Sequence, residues 1–309
     1  MKKIYFITYH YVRKIKKSKY PNLKGLEIDV FKSQLDKINK KFDILNFNSL
    51  LNIFKNKEYN LKKNSCVLTF DDGYKDNIKY VLPELKKRNL SGFFFPSVES
   101  SLQKKVLDVN KIQFILEAEK SRDKILKIIL NNIDNDLKKK IIKEKSFFLN
   151  KHPYDDTKTS FIKHILQSNI LENSKKKITN FLFNKIVTMN EGKFAKELYL
   201  SKSDIKKLFN EGMYIGCHGT NHLRLNELSN KQATSEINKN IKFLKKIGVF
   251  KENWIMCYPY GAYDAFIKRL LKKKKCFLGL TTNHGYENNI KFNNLEIKRI
   301  DCNLINKII

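Results

Sequence analysis

The residues able to do chemistry fall in three short motifs. Asp71 and Asp72 stand side by side, followed by Gly73. Adjacent carboxylates repel, so such a pair is at ease where a cation neutralises one of them. Asp-Asp-Gly is equally a good turn sequence. In Cys217-His218-Gly219-Thr220-Asn221-His222, two histidines stand four apart. From a helix or a tight loop they can converge on one metal. The motif lacks the glutamate of H-E-x-x-H peptidases, because Gly219 stands in its place. The third motif, Cys257-Tyr258-Pro259-Tyr260-Gly261, makes a rigid turn whose tyrosines suit a sugar-sized cleft or simply pack. Asp72, His218 and His222 together would give three ligands with open positions for water and substrate, as a catalytic zinc requires.

Such groups work only if the fold gathers them. Apolar and β-branched runs predict short strands at Ile4–Thr8, Cys66–Phe70, Gly92–Pro96, Met213–Cys217, Trp254–Tyr258, Cys276–Thr282 and Glu296–Ile300. Helices alternate with them. Asp29 caps one that runs to about Lys41, with Val30, Phe31, Leu35 and Ile38 on one face. Ile78–Arg88 is another, and Pro83 marks where its regular part can begin. Ser201 with Asp204 opens a helix that Gly212 ends. Ser229 with Gln232 forms a capping box for a helix to about Lys246, and Asp264–Lys275 is the last. This alternation implies a mostly parallel sheet or a barrel of parallel strands. In such folds the loops after the strands form one face. His10, Asp71, Asp72, His218, Tyr260 and His284 all lie just after a predicted strand, so all six belong to that face. The stretch from about Val98 to Tyr199 differs: it is helical and lysine-rich, without a convincing strand. His152 and His164 within it read as surface or packing residues.

Composition narrows the classes. The chain has 309 residues, 41% hydrophobic and 30% charged, enough to bury a sizeable core. A formal charge of +31 invites a nucleic-acid reading. Only six of the 62 basic residues are arginine, and the lysines are scattered. Readers of nucleic acid favour the bidentate arginine fork, so no nucleic-acid partner is expected. Five cysteines without a C-x-x-C pair argue for reduced thiols. No apolar run is long enough to span a membrane, and the first ten residues do not read as a secretory signal. A cytoplasmic protein is expected, with peripheral membrane contact still open.

Taken in order, Thr69-Phe70-Asp71-Asp72-Gly73, His218-Gly219-Thr220-Asn221-His222 and Tyr258-Pro259-Tyr260-Gly261 resemble the polysaccharide deacetylase family with the NodB homology domain, carbohydrate esterase family 4. The first motif matches closely. The second matches H-(S/T)-x-x-H, except that Gly219 replaces the hydroxyl residue. The third keeps Pro-Tyr-Gly, with Cys257 where many members carry arginine. The resemblance covers roughly residues 1–98 and 200–309, a discontinuous deacetylase domain, and leaves 99–199 as a helical insertion.

The resemblance implies an α/β fold, an irregular parallel (β/α) barrel of the NodB type. It implies a hydrolase that removes an N-acyl group, acetyl in the first instance, from an amino sugar. The substrate would be a cell-surface glycan or its cytoplasmic precursor, nucleotide- or lipid-linked. Asp71 would be the general base. Asp72, His218 and His222 would hold one divalent transition metal, Zn2+ by ligand type, with cobalt, nickel or iron open. That metal would activate water and polarise the amide carbonyl. Pro259, Tyr260 and His284 would line the substrate. For the acid that protonates the leaving amine, the family's late leucine-x-histidine has only Leu280-Thr281-Thr282-Asn283-His284 as a counterpart, at a different spacing. Tyr9-His10 matches a pair that some relatives carry after the first strand, which favours His10. The missing arginine leaves open what orients Asp71. Two other readings stand beside this one: a degenerate glycan-binding or scaffold protein, and a hydrolase of another small amide or formyl group.

Overall fold

The computed structural model describes residues 2–55, 61, 63–145, 156–167, 174–288 and 294–309; His152 lies outside them. The chain divides into two compact units. One comprises residues 1–14, 24–105 and 195–309, the other 15–23 and 106–194. The helical unit thus takes in an early segment that no local pattern marks. Tyr20 packs edge-on against Phe114, and the Asn22 amide donates to Glu117 at 2.9 Å.

Among the described residues the larger unit is built on nine strands: β1 (Lys3–Tyr9), β2 (Asp43–Ile44), β3 (Ser65–Asp71), β4 (Phe93–Phe95), β5 (Tyr214–Ile215), β6 (Ile255–Cys257), β7 (Leu278–His284), β8 (Glu287–Asn288) and β9 (Ile297–Asp301). Seven run in the order β5-β4-β3-β1-β9-β7-β6, with every neighbouring pair parallel. β2 joins β3 in parallel, and β8 joins β1 antiparallel. Just past β5, Cys217 bridges Met256 of β6 in parallel. The Cys217 amide donates to the Ile255 carbonyl and the Cys257 amide to the Cys217 carbonyl, each at 2.9 Å. The two ends of the strand path therefore meet. This is the irregular parallel barrel that the alternation and the resemblance anticipate.

Side-chain alternation sorts the strands into an inside and an outside. Ile4 and Phe6 of β1, Val67 of β3, Phe93 and Phe95 of β4, Ile255 and Cys257 of β6, Leu278 and Leu280 of β7 and Ile297 of β9 form one buried cluster. Strands from all around the ring supply it, so it fills the barrel interior. Their neighbours Tyr5, Ile7, Tyr9, Cys66, Leu68, Phe70 and Phe94 pack outward with the helices' Phe31, Leu35, Ile38, Ile237, Leu244, Ile267 and Leu271. Both faces are covered, which is why these strands read as continuous apolar runs.

Two helices start where serine caps signal them, but the one expected to be capped by Asp29 starts earlier: Glu27 is its N-cap, without a side-chain cap, and Asp29 lies inside the first turn. Ser201 with Asp204 and Ser229 with Gln232 both form complete capping boxes, opening the helices Lys202–Asn210 and Asn230–Lys246. In the helix Ile28–Lys41 the buried stripe is Ile28, Phe31, Gln34, Leu35 and Ile38; Val30, expected on that face, is 47% exposed. Regular helix runs over Leu82–Lys87 with Pro83 in its first turn, after a wider π turn at Asn77–Val81. Proline has no N–H to continue α-type bonding backwards, so the preceding turn adopts other spacing.

The helical unit packs through Ile112, Ile115, Ile125, Ile129, Ile162, Ile165, Leu182 and Phe183, all nearly inaccessible to solvent. Its buried Lys111 is paired with Glu191 at 2.8 Å. No helix among the described residues is long and apolar enough to cross a membrane.

Closure of the barrel depends on Gly216. A Cβ there would lie 2.3 Å from a ring carbon of the buried Phe95 and 3.0 Å from the Ile255 carbonyl oxygen. Gly216→Ala is expected to destabilise the fold by about 1–3 kcal/mol. Urea unfolding should show a lower midpoint with an unchanged slope.

Candidate metal centre and active site

The site begins with strand parity. Val67 of β3 faces the barrel interior, and Asp71 shares its parity at the strand's last position. Asp72 (φ 67°) and Gly73 (φ 71°) then turn the chain through two left-handed residues. Glycine is required at the second, because a Cβ would come within 2.7 Å of the Pro96 Cβ. The turn brings the Asp72 carboxylate to the mouth of the barrel. His218 Nε2 and His222 Nε2 each lie 3.2 Å from the same oxygen, Asp72 Oδ1. The other oxygen, Oδ2, accepts a 2.5 Å hydrogen bond from the Tyr74 hydroxyl. All three residues are buried.

His218 is aimed by its second nitrogen. Nδ1 stands 2.8 Å from the Cys257 carbonyl, which can only accept, so the proton sits on Nδ1 and Nε2 is free to ligate. His222 takes a left-handed backbone (φ 55°), with its ring edge-on to His218 and to Tyr260. Asp72, His218 and His222 offer ligand atoms that all lie within 4.8 Å of one another. Two imidazole nitrogens and a carboxylate oxygen, converging and buried, suit a divalent transition metal.

The electrostatics point the same way. Burial alone would push the Asp72 carboxyl up; His222 and His218 outweigh it and hold it well below the usual carboxylate range. Burial disfavours a charged His218, yet Cys257 and the Asp72 and Asp71 carboxylates outweigh it and raise its affinity for a proton. His222 is pushed down, chiefly by burial. Without a metal, the neighbouring carboxylates thus favour a proton on His218. A divalent cation can take that proton's place.

Asp71 is compensated differently. Arg299 of β9 places Nη1 3.0 Å from Asp71 Oδ1 and 2.9 Å from Oδ2. Arg299 is itself buried, and its Nε donates to the Thr281 carbonyl at 2.7 Å. Burial would raise the Asp71 carboxyl; Arg299, with His10 and His218, holds it below its ordinary value. The arginine absent at position 257 thus has a counterpart on another strand. Reading the motifs missed Arg299. One signal could have found it, an arginine inside a run otherwise read as a buried strand.

His10 follows β1 and places Nε2 3.8 Å from Asp71 Oδ2, with about half of its side chain exposed. Pro259 is buried. Tyr260 (φ 59°) packs between the His222 ring and the Arg224 guanidinium, whose carbon lies 4.5 Å from the Tyr260 ring centre. The structure thus brings Asp71, Asp72, His218, His222, His10 and Tyr260 together. His284 ends β7 in an exposed position, and no hydrogen bond or ion pair joins it to the cluster among the described residues. Asp71, His218 and Cys257 also converge. There Arg299 already neutralises the carboxylate and burial pushes the Cys257 thiol up, so that group is a poor metal site.

Known proteins share this arrangement of the chain. A family profile described as polysaccharide deacetylase matches residues 58–122 and 143–276. No curated protein sequence matches. Among solved structures, the Streptococcus pyogenes deacetylase PplD in complex with acetate is similar, with a TM-score of 0.61 and 17% identity over 97% of this chain and 92% of that one. IcaB from Ammonifex degensii superposes with a TM-score of 0.60 and 13% identity, over 100% of this chain and 96% of that one. A de-N-acetylase from Aggregatibacter actinomycetemcomitans gives 0.57 and 12%, over 96% and 94%. At these identities the likeness is one of fold.

The Asp71–Arg299 pair sets a pH dependence. The folded-state pKa of Asp71 lies below the ordinary value of about 3.9. Its contribution to stability is complete above that value and is lost as pH falls through the folded one. Arg299→Met leaves a buried carboxylate without its cation, at a cost of about 3–5 kcal/mol at neutral pH. The sign then reverses: the variant carboxyl titrates above its unfolded value, so the deficit shrinks as pH falls from 7 toward 5. Urea unfolding of the metal-free proteins across that range measures it.

Proposed function

Because the chain belongs to the polysaccharide deacetylase family, we propose that it hydrolyses the N-acetyl amide of an amino sugar in a glycan or a carrier-linked glycan precursor. Asp72, His218 and His222 would hold the divalent metal, zinc by ligand type. One observation carries the reading: an ionised, buried carboxylate, Asp71, stands next in sequence and in space to a buried three-ligand cluster.

When bound there, a divalent cation supplies Lewis acidity toward water and toward the amide carbonyl. The chain's own residues do the rest. Asp71, held ionised by Arg299, accepts the proton of the attacking water. The Tyr260 ring, against His222, offers a wall for a sugar face. The amine cannot leave as an anion, so an acid must protonate it. His10 sits on the solvent side of Asp71, within reach of it, and is suited to deliver that proton. His284, exposed at the end of β7, is the weaker candidate. The acetate bound to the similar Streptococcus pyogenes deacetylase is the acid such a reaction releases.

Two measurements test this. Wild type with added zinc should release acetate from N-acetylglucosamine oligomers, and Asp71→Asn should lose at least about 100-fold of that rate while still binding zinc. A glycan-binding protein would release none in either form. Zinc binding to the apo protein should release protons, because the metal competes for the His218 nitrogen that the carboxylates incline toward protonation. Calorimetry in two buffers of different ionisation enthalpy counts them.

A further inference from the structure

The loop that carries both histidines does not hold itself. Gly219 (φ 71°) and His222 (φ 55°) take left-handed conformations, and for histidine that has an energetic cost. Neighbours on two sides hold it. On one side its carbonyls are taken up: the Val98 amide donates to the Gly219 carbonyl at 3.3 Å, and the Glu99 amide to the Thr220 carbonyl at 2.9 Å. On the other side its amides meet the helix Asn230–Lys246. Glu236 Oε2 accepts from the backbone amides of Thr220 at 3.1 Å and Asn221 at 2.8 Å. Glu236 Oε1 accepts from Asn221 Nδ2 at 2.5 Å. One helical turn on, Asn240 Oδ1 accepts from the His218 amide at 2.8 Å. The Thr220 hydroxyl donates to the Glu236 carbonyl at 2.8 Å. Glu236 is 6% exposed, so these are charge-assisted bonds away from water.

The two histidines differ in what aims their rings. His218 is tied through Nδ1 to the Cys257 carbonyl. His222 Nδ1 is buried and has no hydrogen-bond partner among the described residues. A ligating histidine is usually fixed by the partner of its second nitrogen. His222 has none, so beyond the Asp72 carboxylate at its Nε2 its direction is set by its backbone and by the His218 and Tyr260 rings. What fixes that backbone is the clamp just N-terminal to it.

We infer that Glu236 is a positioning residue for metal capture. By holding the amides of Thr220 and Asn221 it presets His222, so the third ligand is in place before the metal arrives. It hydrogen-bonds to none of the ligand side chains, and its effect passes through the loop backbone. The inference rests on reading Asp72, His218 and His222 as a metal site.

Cobalt(II) is the probe, with its affinity and its visible absorption band as readouts. Wild type should take up cobalt. Glu236→Ala should bind it about 10- to 100-fold more weakly, with an altered band. Glu236→Asp keeps the charge but is one methylene short, and should lose affinity similarly. If the alanine variant does not fold, Glu236→Asp and Glu236→Gln still decide the matter. Glu236→Gln should stay close to wild type: its amide oxygen can accept both backbone N–H groups, and a flipped Asn221 can accept from its Nε2. Ile237→Val, in the same helix but facing the core, should lower the melting temperature without touching affinity or band. The inference is overturned if the Ala and Asp variants bind cobalt as wild type does. It is overturned equally if Gln fails to rescue, or if Ile237→Val weakens binding as much. A folded wild type that takes up no cobalt removes the metal-site reading itself, and this inference with it.

Discussion

Two neighbouring carboxylates are buried at the end of one strand, and the rest of the site exists to compensate them. Asp71 and Asp72 are 2% and 4% exposed. Removing an ionised carboxylate from water costs several kcal/mol even after relaxation, so each needs its own cation. The two cations differ in kind. Asp71 has the Arg299 guanidinium, which cannot give up its proton and cannot leave. Asp72 has two imidazoles, which can be positive only by taking up a proton, and that proton is exchangeable. This difference separates the roles. The carboxylate with a permanent partner stays ionised and can act as a base, while the one with an exchangeable partner is open to a metal.

The fold makes that arrangement possible by collecting strand ends. β3 brings Asp71, β1 leads to His10, β6 leads to Pro259 and Tyr260, and the chain beyond β5 leads to the histidine loop. β9 lies on the far side of β1 from β3, and from there Arg299 reaches Asp71. The barrel need not be regular for this purpose. Its strands span two to seven residues, and its closure rests on the Cys217–Met256 bridge. That bridge sits one residue before His218, so the closure of the sheet and the placement of the first histidine are parts of one local structure.

The sequence disclosed what is local. Buried strands showed as continuous apolar runs, helix starts as serine caps, and the ligand set as a short-range spacing joined to a family resemblance. It concealed what is distant or brief. Arg299 meets Asp71 across 228 positions, and no local pattern marks that pairing. Glu236 and Asn240 lie on a helix that its Ser229–Gln232 capping box announces, yet their role depends on a loop brought alongside only in the folded chain. β2 and β8 are two residues each, too short for alternation to show. The helix Phe47–Lys55 has no counterpart among the elements expected from sequence, although Leu50 and Ile53 are buried at helical spacing. His284 was expected in the loop after a strand ending at Thr282; β7 runs on through it and leaves it exposed.

The most direct test of the account is the metal content of the folded protein. Wild type and His222→Ala would each be dialysed against zinc and then against buffer, and analysed for bound metal. The account predicts about one equivalent in the wild type and its loss in a variant that remains folded. A well-folded wild type without metal, or equal metal in both proteins, would contradict it.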